Sequence, residues 1–314
     1  MLRAVYKNLR LFWKYHLTGY PGKGPEEETE LGIYYLDFNL DEYYRKILSF
    51  KKLYAISKIA EITYRDKKYP ILKINFKGIK TNKKLLVIAG IHGNEQAAMM
   101  AIPEILKELR SRFSRYREME IRIITPANPV GATCKSRYNA EGLDINRDFV
   151  IFRSREAALI KKEVEKFRPD FVLSLHESPQ KQGMFFYANK FVPQETAVRI
   201  IKFLKENKFS LTETDYYGRK LKIAGYSPLG FGFAILNRLW KKFIKAQTMG
   251  AYLSSIKIPV ITVETPWRSS NKEERISGHL AVFKQLTDSM LRQSGRRKVD
   301  EIPRIGKAQS TQAP

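Results

Sequence analysis

The chain has 314 residues, 43% of them hydrophobic, enough for one large domain or two small ones. A single cysteine, Cys134, excludes an intrachain disulfide and a cysteine-rich zinc site, and it suits a reducing, cytoplasmic setting. The formal net charge of +25 comes mostly from lysines spread along the whole chain. With no Arg-rich stripe and no interleaved aromatics, a solvated basic surface is the preferred reading over specific nucleic-acid binding.

Residues 1–30 read as a basic N-terminal helix and linker. Val5, Leu9, Phe12, Trp13 and Leu17 lie near one side of that helix. Arg3, Lys7, Arg10, Lys14 and His16 interrupt it, so it is neither a secretory signal nor a transmembrane segment. Packing on the domain is the plain reading, and weak membrane-surface association is the sharper one. Gly19, Pro21, Gly22, Gly24 and Pro25 mark the linker.

Residues 31–293 alternate strand and helix patterns, an α/β order. Asp41–Phe50 reads as a short helix, and Leu53–Tyr64 with Tyr69–Phe76 as a hairpin. The apolar run Leu85–Ala89 reads as a buried central strand, followed by a helical pattern from about Asn94 to Phe113. Met119–Thr125 is the next strand. Val130–Phe149 is polar and glycine-containing, and a loop of that length is usually functional. A helix is expected at Arg155–Phe167 and strands at Phe171–Leu175 and Gly183–Tyr187. Further on, Gln194–Asn207 reads as a helix, Val260–Val263 as a strand and Lys272–Arg292 as the last helix. Residues 294–314 read as a disordered tail.

Three apolar runs stop at residues able to bind a metal. Leu85–Gly90 leads to His92 and Glu95, Asp170–Leu175 to His176, and Ile258–Val263 to Glu264. In open α/β sheets, ligand sites lie at the carboxyl ends of strands. A catalytic zinc typically takes three protein ligands and leaves one position open. His92, Glu95 and His176 supply three, one zinc per chain, and Glu264 is left free to act on water.

These motifs, with Asn128-Pro129, Arg137 and Gly142-Leu143-Asp144-Ile145-Asn146-Arg147 between them, occur in an order that resembles the zinc carboxypeptidase (carboxypeptidase A) family. That resemblance spans residues 85–266. It implies a single carboxypeptidase-like domain with a mixed, mostly parallel, twisted central sheet and helices on both faces. It implies an enzyme that hydrolyses a peptide or amide bond near a free carboxylate, with zinc-activated water and Glu264 as general base. Arg137 would stabilise the oxyanion, Asn146 and Arg147 would hold the carboxylate, and Asp144 would support His92. Met249 falls in the stretch that lines the side-chain pocket, which suggests an apolar or undemanding pocket. Glu177 follows His176 as an extra carboxylate that could alter charge preference.

The His-Gly-Asn-Glu wording also resembles succinylglutamate desuccinylase and aspartoacylase, which act on N-acyl amino acids. The Arg-x-Asn-x-x-Gly-x-Asp-x-Asn-Arg run and the Thr-Val-Glu-Thr-Pro ending favour a peptidase, including the murein-peptide amidase type. An inactive binding protein on the same fold is the third alternative.

Overall fold

The structure, a computed structural model, describes residues 25, 32–179, 182–215, 218–229, 238, 241–243 and 245–300, with side chains to residue 292. The expected N-terminal helix and residues 301–314 of the tail lie outside the described residues.

Eight strands form one sheet: β1 (Ala55–Tyr64), β2 (Lys67–Lys77), β3 (Lys83–Ala89), β4 (Met119–Thr125), β5 (Phe171–Ser178), β6 (Phe185–Ala188), β7 (Tyr226–Pro228) and β8 (Val260–Pro266). Their spatial order is β1-β2-β4-β3-β5-β8-β6-β7. The pairs β3–β4, β3–β5, β5–β8 and β6–β7 are parallel, whereas β1–β2, β2–β4 and β6–β8 are antiparallel. The helices are α1 (Leu40–Leu48), α2 (Gln96–Ser111), α3 (Phe113–Tyr116), α4 (Pro129–Cys134), α5 (Arg155–Phe167), α6 (Gln194–Glu206), α7 (Met249–Ser255) and α8 (Lys272–Asp300). This is the single α/β domain with a mixed, mostly parallel sheet that the sequence implied.

Local chemistry explains most of these elements. The β1–β2 turn needs two left-handed residues to match strand twist, and Arg65 (φ 47°) and Asp66 (φ 61°) supply them. Leu85, Leu86, Val87, Ile88 and Ala89 of β3 are fully buried, as expected where helices cover both faces of a parallel sheet. Helices α2, α6 and α8 pack together on one face. On the other, Glu163 of α5 pairs with Arg122 of β4 (2.8 Å) and Lys73 of β2 (3.3 Å), and α7 lies against β8.

Three differences from the sequence reading have physical causes. The expected loop at Val130–Phe149 contains α4 and a 3-10 turn at Ile145–Arg147. Their driving force is capping rather than propensity: Asn128 Oδ1 accepts from Gly131 N (2.8 Å), and Asp144 Oδ1 accepts from Asn146 N (2.9 Å). Strands β5 and β8 run past their apolar stretches, because His176 and Glu177 pair in the ladder with Glu264 and Thr265. The last helix continues to Asp300, beyond the expected start of the tail at 294.

The turn after β3 depends on two glycines. Gly90 has φ +75°, and a Cβ on Gly93 would fall 1.8 Å from the carbonyl carbon of Gly131. The β3–α2 turn and α4 therefore meet backbone to backbone beside His92. Gly93→Ala is expected to cost at least about 3 kcal/mol in urea unfolding, because the clash is with backbone that no rotamer change relieves. An unchanged midpoint would show that α4 can retreat.

Candidate metal centre and catalytic cleft

The carboxyl ends of β3, β5 and β8 meet at one cleft that opens to solvent. His92 and Glu95 come from the turn after β3, His176 from β5 and Glu264 from β8. In a parallel pair, residues in register project to the same face. His176 and Glu264 are such partners, so the ladder itself sets them side by side.

The three candidate ligands are buried, each no more than 3% exposed. Glu95 Oε1 lies 2.6 Å from His92 Nδ1, Glu95 Oε2 lies 2.8 Å from His176 Nδ1, and the two Nδ1 atoms are 3.2 Å apart. Among the described residues this is the one His/Cys/Asp/Glu group whose donor atoms converge within 4.8 Å. Tetrahedral zinc with bonds of about 2.0–2.1 Å separates its donors by roughly 3.3 Å; the two Nδ1 atoms match that spacing, whereas the Glu95 oxygens sit at hydrogen-bond distance from the rings. The donor chemistry fits as well. His92 turns Nε2 toward Asp144 Oδ1 (3.3 Å), which leaves the Nδ1 lone pair for a cation.

Electrostatics agree with a ligand role. Burial works to raise the Glu95 carboxyl, but His92 and His176 overturn it and hold the group well below the usual carboxylate range. Burial lowers His176, against the opposing pull of Glu95, and so favours the neutral ring that binds metal. Asp144 is depressed although burial opposes it, because Arg137, Arg147 and His92 surround it. Glu264 is pushed well above its ordinary value, first by burial and then by the charge of Glu95, with Arg137 pulling the other way. A carboxylate with a raised pKa is a better proton acceptor near neutral pH.

All the expected site residues gather here. Arg137 is 4% exposed, its Nε donates to Asp144 Oδ2 (2.8 Å), and its Nη1 lies 3.3 Å from His92 Nδ1. Asn146 and Arg147 line the cleft. Asn146 Oδ1 accepts from Met249 N (2.9 Å), so its carbonyl anchors α7 and its amide NH₂ is what could meet a substrate. Met249 is 1% exposed and lines the wall with Gly250.

Glu177 borders the cleft, but its carboxylate does not face it as expected. Being one residue past His176, its side chain crosses to the opposite face of the sheet. There it accepts from Arg275 Nε (2.8 Å) and Ala97 N (2.8 Å). Its carboxylate is therefore paired within the helix layer.

The sequence reading missed Tyr187, Ser174 and Thr262 on the same cleft. Ser174 and Thr262 are ladder partners, and Tyr187 pairs with Thr262 across β6–β8. Period-two alternation from His176 and Glu264 would have found the first two. Tyr187 needed the β6–β8 pairing, which no local pattern announces. Tyr252 packs on Phe149 and edge-on against Phe152, and Tyr226 packs on Phe186.

Residues 81–208 match the family described as Succinylglutamate desuccinylase/Aspartoacylase catalytic domain. No curated protein sequence matches the chain. Among solved structures, a candidate metallopeptidase from Shewanella amazonensis is similar over 80% of this chain and 93% of its own, at 17% identity and TM-score 0.63. A metallo-carboxypeptidase from Burkholderia cenocepacia is similar over 80% and 68%, at 13% identity and TM-score 0.56. The metallo-carboxypeptidase from Pseudomonas aeruginosa, solved with (2-guanidinoethylmercapto)succinic acid, gives 80% and 68%, 17% and 0.56. The matched residues 81–208 take in His92, Glu95, Arg137, Asp144, Asn146, Arg147 and His176. At these identities the solved structures speak for the fold alone. Among the described residues, no helix is long and apolar enough to cross a membrane.

The Asp144 contact yields a test of the candidate metal centre. Asp144→Asn is expected to weaken zinc binding by roughly tenfold to a hundredfold, because the acceptor that fixes the His92 tautomer is lost. Competition with a chromogenic chelator measures it. Unaltered affinity would make Asp144 only a cap and an arginine partner.

Proposed function

We propose that the protein is a zinc-dependent hydrolase that cleaves a peptide or amide bond next to a free carboxylate. The observation that carries this reading is the convergence of His92, Glu95, His176, Glu264, Arg137 and Arg147 on one cleft. His92, Glu95 and His176 would hold the ion. Zinc supplies Lewis acidity toward a carbonyl and makes water nucleophilic near pH 7.

The chain's own residues supply the rest. Glu264, raised by burial, would take the proton from the attacking water at a carboxylate oxygen and return it to the departing amine. Arg137, held rigid by Asp144, would stabilise negative charge on the carbonyl oxygen. Arg147, whose Nη1 donates to Asn146 O (2.9 Å), would grip the substrate carboxylate. The ring of Tyr187 with Met249 and Gly250 would bound the side chain of the residue that carries the carboxylate.

Two substrate classes share this chemistry. The peptidase reading rests on the arginine-containing motif and the Thr-Val-Glu-Thr-Pro ending of β8. An N-acyl amino acid deacylase is favoured instead by the family match over residues 81–208. A panel of C-terminal dipeptides, murein peptides and N-acyl amino acids, offered to zinc-loaded protein, separates them.

Glu264→Gln is expected to keep the zinc and the fold while kcat falls about a hundredfold or more, as for a lost general base. Near-normal turnover would remove Glu264 from the mechanism. Amidating the substrate carboxylate is expected to lower kcat/KM by about 2 kcal/mol or more, since a charge-assisted contact is lost. Arg147→Ala should show the same loss on the free acid and little further loss on the amide. Equal turnover of acid and amide by the wild-type protein would exclude the carboxylate-reading role.

A further inference from the structure

The beginning of α2 presents a conflict. A helix leaves its first N–H groups without intrahelical partners, and the side chain of the N-cap residue usually accepts one of them. Here the N-cap residue is Glu95, and it makes no capping bond. Both its oxygens face the histidines, at 2.6 and 2.8 Å. One carboxylate cannot serve the metal centre and cap its own helix together. The amide of Ala97 would be left orphaned in the interior, where Ala97 is fully buried.

Glu177 resolves the conflict from another strand. Its Oε2 accepts from Ala97 N at 2.8 Å. As the neighbour of His176, it ties the strand end that carries one histidine to the helix start that carries Glu95. A buried carboxylate near Glu95 and Glu264 needs a cation to remain charged. Arg275 of α8 provides it, with Nε and Nη2 each 2.8 Å from Glu177 Oε1. Arg275 is itself fixed by Tyr34 O (2.7 Å) and Ser269 O (3.1 Å), and both side chains of the pair are no more than 1% exposed.

We propose that Glu177 and Arg275 are positioning residues for the metal centre: Glu177 takes over the capping duty that Glu95 surrenders, and Arg275 holds Glu177 in place. This rests on the reading of His92, Glu95 and His176 as zinc ligands. It makes α8 and the Tyr34 segment part of what sets ligand geometry, although neither touches the cleft through this pair.

The test compares Glu177→Gln with Glu177→Ala, both combined with Arg275→Met so that neither protein buries an unpaired charge. Gln keeps an acceptor for Ala97 N, whereas Ala removes it. Zinc affinity is read by chelator competition and ligand geometry by the visible absorption of the cobalt(II)-substituted protein. The Gln double variant is expected within about threefold of wild-type affinity, with a wild-type-like cobalt spectrum. The Ala double variant is expected at least about tenfold weaker, with an altered spectrum, in the range seen when a ligand loses its supporting contact. If the alanine protein does not fold, Glu177→Asp serves in its place. It keeps the charge but withdraws the oxygen from Ala97 N by one methylene, and the same tenfold loss is expected. A purely structural ion pair would lower the melting temperature of these variants and leave affinity and spectrum at wild-type values, which would overturn the proposal. Failure of the wild-type chain to bind zinc at all would instead overturn the metal-centre reading beneath it.

Discussion

Parallel register is the constraint on which the rest of this structure depends. β3, β5 and β8 lie side by side in one direction, so their carboxyl ends emerge at one edge of the sheet. His176 and Glu264 are in-register neighbours, and the turn after β3 brings His92 and Glu95 beside them. An antiparallel neighbour would have sent one of these groups to the far end of the sheet. The candidate ligand set is thus a consequence of topology, with the side chains only completing it.

Alternation along the strands then divides labour between the faces. On β5, Ser174 and His176 look into the cleft while Glu177 looks into the helix layer, and on β8 Thr262 and Glu264 stand opposite Thr265 in the same way. Thr265 Oγ1 lies 3.1 Å from His279 Nε2, so a buried polar seam runs behind the cleft from Glu177 to α8. His279 is fully buried and held down to about 3, first of all by burial, which keeps its ring neutral. The seam carries no unpaired cation beside the ligands.

Much of this was legible in the sequence. The three apolar runs that stop at His92, His176 and Glu264 gave both the strands and the ligands, because buried parallel strands are continuously hydrophobic and their ends are where polar groups reappear. Asp144 and Arg137 were legible only through family order, since nothing in a glycine-containing loop says which way a carboxylate turns. α4 was illegible because its six residues include Gly131 and Thr133 and it stands on the Asn128 cap and on burial. Glu177 misled for a related reason. Adjacency in sequence to His176 suggested adjacency in space, and the pleat places consecutive side chains on opposite sides. Tyr187 required knowing that β6 returns antiparallel beside β8, a long-range pairing without a local signature.

Charge arrangement joins the fold to the chemistry. Each cleft-facing or near-cleft carboxylate answers to different partners: Glu95 to two imidazoles, Asp144 to Arg137, Glu177 to Arg275. Glu264 is the exception. It has Arg137 and Arg147 near enough to pull its pKa down, yet burial and the carboxylates of Glu95 and Glu177 prevail and push it up. Structural carboxylates in a protein interior are normally satisfied by direct partners, as the other three are. A carboxyl group held at a strand end, 9% exposed, with its proton affinity raised and its ladder partner a candidate metal ligand, is arranged to exchange protons with something that enters the cleft. Arg137 and Arg147, which pull on Glu264 without dominating it, line the same cleft, so a carboxyl group of raised proton affinity and two cations share one small space.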